Sequence, residues 1–80
     1  MKIAVIRFLA ETHSLDVLEN AEAAFYDEKV PEIEVPGDDE GEQLTHVIAA
    51  LEILREMEET QCALNVALRN YTQRVRNSIS

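Results

Sequence analysis

The stretch that decides the fold is residues 39–59, which read DEGEQLTHVIAALEILREMEE. Its apolar residues recur at helical spacing over about five turns. They form a main stripe of Leu44, Val47, Ile48, Leu51 and Leu54, with a flank of His46, Ala50, Ile53 and Met57. An apolar arc this wide is buried only when more than one neighbour covers it. We therefore predict a central helix from about Gly41 to Glu59.

The acidic start of this stretch indicates where the central helix begins. Asp39 and Glu42 have the spacing of an N-cap and the third helical residue, which is the spacing of a capping box. The surrounding cluster, residues 38–42, is also a candidate calcium site. An EF-hand alignment fails, however, because Pro36 and Val47 would occupy ligand positions. We interpret the cluster as a helix cap.

Two more helices are predicted before the central one. Residues 3–12 form the first helix. A buried strand over residues 3–9 is an alternative, because a short apolar run is compatible with both a helix and a strand. Ser14 is a favourable N-cap for the second helix. That helix should fade near Asp27–Lys29, since Pro31 disfavours helical conformation in the residue before it.

A linker with two prolines separates the second helix from the central one. Residues 30–37 read VPEIEVPG, so apolar and acidic residues alternate between the prolines. We interpret this stretch as an extended acidic linker, in which Ile33 or Val35 can pack against the helices. A strand edge that pairs with a peptide is the alternative.

The last helix is predicted to begin at Thr60 and to cover roughly residues 61–77. Its apolar stripe consists of Leu64, Leu68, Tyr71 and Val75. Together these patterns predict one all-α domain over residues 1–80, a small bundle of three or four helices with one extended acidic linker. The alternative fold class is α+β with a short N-terminal strand.

The short length of the chain makes self-association the expected source of extra stability. Eighty residues bury too little surface for a wide margin of stability, and small domains usually rely on disulfides, a metal or a partner subunit. Cys62 is the single cysteine, so an internal disulfide is excluded. Cys62, His13 and His46 do not have the spacing of a four-ligand zinc site. A homodimer is therefore expected.

The charge distribution limits the classes of partner that the protein is expected to bind. A net charge of −9 argues against nucleic acid, whose phosphates would be repelled. No apolar run approaches the roughly 20 residues that span a bilayer, so we expect a cytoplasmic protein without membrane contact. All sixteen acidic residues lie in residues 11–59, whereas residues 60–80 carry Arg69, Arg74 and Arg76. This segregation predicts complementary surfaces, within the fold or between subunits.

Two groups of side chains are candidates for chemistry. Cys62 falls in the predicted first turn of the last helix, where backbone N–H groups can lower the pKa of a thiol. Glu42 and His46 are four residues apart and therefore neighbours on one helix face. A nucleophile also needs a base and an orienting group, and helical di-iron sites need Glu-x-x-His pairs and further glutamates. We therefore predict no catalytic residue, metal or cofactor, an inert thiol, and a hydrogen-bonded, partly buried His46.

Several segments of the chain carry a family resemblance. They are Val5-Ile6-Arg7, Glu11-Thr12-His13-Ser14, the run EGEQLTH at residues 40–46, and the ending ALRNYTQRVRNSIS at residues 67–80. These segments resemble a family of small, acidic, bacterial proteins of Bacteroidetes type whose function is unknown. The similarity covers most of the chain. It implies no activity and favours a redox-linked accessory role.

The sequence therefore predicts a non-catalytic interaction or accessory protein that acts as a homo-oligomer. The alternative is a small redox-linked thiol or metal-binding protein that uses Cys62, Glu42 and His46. A third hypothesis is an anion-binding module that uses the three arginines of the last helix, although three arginines are too few to indicate a specific anionic partner.

Overall fold

The apolar patterns described above fold into helices throughout the computed structural model, which describes residues 2–79. Within these residues the chain forms four helices and no strand. The helices are α1 (Ile3–Thr12), α2 (Leu15–Tyr26), α3 (Glu40–Thr60) and α4 (Leu64–Ile79). The all-α prediction is confirmed, and the first segment is a helix rather than a strand. Among the described residues, no helix is both long enough and apolar enough to cross a membrane.

The longest helix, α3, is the centre of the fold. It contacts α1, α2 and α4, and α1 also contacts α4. Its buried residues are His46, Val47, Ala49, Ala50, Leu51 and Ile53. At 3.6 residues per turn they cover roughly 200° of the helix circumference, which is more than one neighbouring helix can bury. The predicted central position of this helix is confirmed.

The buried arc of α3 is rotated relative to the predicted stripe. Leu44 and Ile48, which the spacing places in the main stripe, are only half-buried. Ala49, which the spacing leaves out, is fully buried, as is Ile53 from the predicted flank. The physical reason is that neighbours cover only the arc of the six buried residues. At about 100° per residue, position 44 lies just beyond one edge of that arc and position 48 lies on the uncovered side.

Side-chain caps begin two of the helices. The Ser14 hydroxyl accepts a hydrogen bond from the Val17 N–H at 3.3 Å, and the Asp39 carboxylate accepts one from the Glu42 N–H at 2.8 Å. Both predicted N-caps are therefore confirmed. In an ideal capping box the Glu42 carboxylate would accept a hydrogen bond from the N–H of the N-cap residue, Asp39. Here it accepts one from the N–H of the preceding residue, Asp38, at 3.3 Å.

The connection between α3 and α4 corrects one prediction. The predicted start of the last helix at Thr60 is wrong, because Thr60 ends α3 and α4 begins only at Leu64. Gln61 has a left-handed backbone with φ of 56°, a conformation that commonly ends a helix. The Ala63 carbonyl accepts the first bonds of α4. Cys62 therefore lies in the connection, outside the first helical turn in which it was predicted.

The linker between α2 and α3 packs against the core through alternate residues. Val35 is buried and Ile33 is half-buried against the core, as predicted for this segment. Gly37 approaches α3 so closely that an added Cβ would lie 2.7 Å from the Gln43 Cγ atom. The linker is thereby held against the start of α3, and the strand alternative does not occur within the described residues.

We predict that Leu51→Ala lowers the free energy of unfolding by about 2–5 kcal/mol, because a fully buried leucine leaves a cavity in the core. Leu44→Ala removes the same atoms from a half-buried position and should cost about 1 kcal/mol. Urea unfolding followed by circular dichroism measures both values. Equal losses would contradict the rotated arc.

Candidate functional site

His46 is a fully buried polar side chain on α3. Its Nδ1 atom lies 2.8 Å from the Pro36 carbonyl oxygen, and its Nε2 atom accepts a hydrogen bond from the Lys2 N–H at 2.9 Å. Because a carbonyl can only accept and a backbone N–H can only donate, Nδ1 is the donor and Nε2 is the acceptor of this imidazole. The predicted hydrogen-bonded role is confirmed, with burial complete rather than partial. His46 joins the start of α1, the linker and α3.

Glu42 lies beside His46, as the spacing of four residues predicts. The nearest Glu42 carboxylate oxygen is 3.8 Å from Nε2 of His46. Both ring nitrogens of His46 nevertheless bond to backbone groups, so neither presents a lone pair to a metal ion. Within residues 2–79, no three His, Cys, Asp or Glu side chains come together in a cluster that could hold a metal.

Cys62 is far from this pair. Its side chain is half-buried against the edge of the core, and its thiol is free. His46 lies near the beginning of α3 and Thr60 at its end, so roughly 20 Å of helix separates them. Cys62 follows Thr60 by two residues. The structure therefore does not bring Cys62 together with Glu42 and His46.

The three arginines of α4 have different surroundings. The Arg74 guanidinium donates to the Glu56 carboxylate at 2.8 Å and lies over the ring of Tyr71, 5.9 Å from its centroid. Arg69 and Arg76 are exposed, and neither has an ion pair with a described residue. The predicted anion-binding residues are thus one internally paired arginine and two unpaired ones.

A polar groove of 780 Å³ runs between α3 and α4. Both guanidiniums that line it are paired, Arg74 with Glu56 and Arg55 with Glu19 at 3.3 Å. The hydrogen bond from Arg74, followed by one from Asn70, holds the pKa of Glu56 below its ordinary value of 4.5. The segregated charges of the sequence are therefore partly neutralised within the fold.

The sequence prediction did not identify the exposed side of α1 as a candidate site. Phe8 is 48% exposed and Ile3 is 40% exposed. The Phe8 ring meets the His13 ring edge-on, with centroids 6.5 Å apart. Phe8, Thr12, His13, Ile33, Glu34 and Pro36 line a cavity of 390 Å³ between α1 and the linker. The available signal was a short helix with large apolar residues all round, more than one neighbour can bury.

Ile33 connects this cavity to a second depression. The second depression has a volume of 270 Å³ and lies between the linker and α2, where Val17, Ala24 and Val30 line it. Val30 is 91% exposed. Exposed and half-buried apolar side chains therefore continue from α1 across the linker, and contiguous apolar surface of this kind is typical of interaction sites.

We predict that His46→Ala lowers the free energy of unfolding by at least about 2 kcal/mol, because it leaves the Lys2 N–H and the Pro36 carbonyl without their partner. His13→Ala, which removes a half-buried ring, is the matched control and should cost less. Urea unfolding of both variants checks this, and equal losses would contradict the structural role of His46.

We also predict that the pKa of Glu56 depends on its hydrogen bond with Arg74. Carbon NMR titration should place its pKa below 4.5, and Arg74→Met should raise it toward that value. Arg69→Met, which removes an unpaired arginine, should leave it unchanged. Because the folded pKa is lowered, the pair stabilises the fold fully above pH 4.5, and this stabilisation is lost as the pH falls through the lowered pKa. An unchanged pKa in Arg74→Met would contradict the pairing.

Comparison with known proteins supports one part of the resemblance noted from the sequence, which is the likeness to a family of unknown function. A family model described as "Family of unknown function (DUF6952)" matches residues 1–80. The searches of curated proteins and of solved structures found no match. The match extends over the whole length of the sequence. The chain therefore belongs to this family of unknown function.

Proposed function

We propose that this protein is a non-catalytic interaction or accessory protein that acts as a homo-oligomer in the cytoplasm. The observation that carries the proposal is the apolar surface of α1, where Phe8 is 48% exposed beside a 390 Å³ cavity. An exposed aromatic side chain next to a cavity is characteristic of an interface anchor. A single free cysteine is compatible with a reducing compartment.

The shape of the domain supports self-association. The molecule measures 32 × 29 × 18 Å, so it is flat, with broad faces and little depth for a core. Within the described residues, α2 contacts α3 and no other helix. A small domain with so open an arrangement gains stability when a second subunit covers an apolar face.

A non-catalytic role is supported by the surroundings of the polar side chains. His46 bonds to two backbone groups, and Glu56 bonds to Arg74 and Asn70. Cys62 lies near the opposite end of α3 from His46. The hydrogen bonds of His46 and Glu56 hold parts of the fold together. These two residues and Cys62 do not form a nucleophile with an adjacent base.

We predict a mass of at least twice the 9.1 kDa of one chain when untagged protein is measured by light scattering at about 0.1 mM. Phe8→Ala should shift the population toward monomer, because it removes an apolar anchor from the surface. Tyr26→Ala is the control, since Tyr26 is a more exposed aromatic residue, at 63%, on α2.

A monomeric wild type would overturn the proposal. Metal analysis of the same sample separates it from the alternative, because a monomer with stoichiometric metal would direct attention to Glu42 and His46. An oligomer that responds equally to Phe8→Ala and Tyr26→Ala would contradict the role given to Phe8.

A further inference from the structure

We propose that the outer side of α1, with its two flanks, is a self-complementary surface on which a second copy of this chain docks about a two-fold axis. We call this surface the α1 face and define it by its apolar centre at Phe8, an acidic edge on the linker and a basic edge on α4. The inference rests on the proposed homo-oligomer and deepens it by naming the interface and its symmetry.

The acidic edge lies beside Phe8. Glu34 lines the same cavity as Phe8, and Glu32 lines the adjoining depression. Both carboxylates are exposed, and neither forms an ion pair with a described residue. Two unpaired negative charges therefore border the apolar centre on the linker side.

The basic edge lies on the other side of α1. The Arg7 guanidinium donates to the Asn65 side chain of α4 at 2.8 Å, which fixes α4 next to α1. Arg69 and Arg76 follow Asn65 at spacings of four and eleven residues, so the three share one stripe of α4. Arg69 and Arg76 are exposed and unpaired among the described residues. Between Phe8 and α4, α1 also presents Arg7 paired with Glu11 at 3.4 Å, which adds no net charge. The α1 face thus runs from an acidic edge through a centre without net charge to a basic edge.

A two-fold axis through the apolar centre makes this order self-complementary. In an isologous dimer each surface patch meets the same patch reversed by the rotation. The acidic edge of one copy then meets the basic edge of its partner at two equivalent places, and the two Phe8 side chains approach each other near the axis.

Charge also selects a second copy over other occupants. Nucleic acid would be attracted by Arg69 and Arg76 but repelled by the acidic edge and by the net charge of −9. A uniformly basic peptide would be repelled by the same two arginines. After the two-fold rotation, a second copy of this chain places its basic edge against the acidic edge and its acidic edge against the basic edge.

Charge reversal tests the interface. The acidic-edge variant carries Glu32→Lys and Glu34→Lys, and the basic-edge variant carries Arg69→Glu and Arg76→Glu. Each variant alone should raise the dimer dissociation constant at least about tenfold in sedimentation at about 50 mM salt, because like charges meet at both contacts. Glu58→Lys with Glu59→Lys is the control for the acidic-edge variant, since it changes the net charge by the same amount and in the same direction on an exposed part of α3.

Reciprocity gives the decisive measurement. An equimolar mixture of the two variants should form a heterodimer of nearly wild-type affinity, because one contact pairs two reversed edges and the other pairs two native edges. A chain with all four substitutions should recover the homodimer for the same reason, and circular dichroism shows that each variant is folded. A dimer that tolerates every edge variant would overturn this interface and leave the proposed function standing. A monomeric wild type would overturn both.

Discussion

The fold depends on burying the wide apolar arc of α3. About 200° of one helix must be covered by a chain of 80 residues, and the three other helices share that task. α1 contributes Ile6, Leu9 and Ala10 to the core. A short helix packs against its neighbours with only one side. Two of the other large apolar residues of α1, Ile3 and Phe8, are therefore exposed to solvent. The exposed surface of α1 is thus a consequence of the way in which the core is built.

The same constraint determines what the polar side chains do. A linker that crosses to the start of a buried helix carries backbone groups that need partners, and His46 supplies one to the Pro36 carbonyl while it accepts from Lys2. Burial of an imidazole is favourable only when both of its nitrogens are satisfied, as they are here. His46, a candidate for chemistry in the sequence, therefore has a structural role and connects three segments of the chain.

Charge segregation along the chain has two structural consequences. One part is neutralised inside the fold, where Arg74 bonds to Glu56 and Arg55 to Glu19. The other part stays on the surface, as an acidic linker on one side of α1 and, at the other side, two arginines of α4 that form no ion pair with a described residue. Exposed charges contribute little to stability, so these surface charges are not needed for folding, and we propose that they orient a second copy of the chain.

Local patterns in the sequence by themselves determined the helical class, the central position of α3, the N-caps at Ser14 and Asp39 and the packing of the linker. Periodicity and side-chain capping act between residues a few positions apart, so they can be read along the chain. Only the tertiary structure decided that Leu44 and Ile48 lie outside the buried arc, that Cys62 is remote from His46, and that Phe8 is exposed. Each of these depends on which side of a helix its neighbours cover, and residues far apart in the sequence determine that.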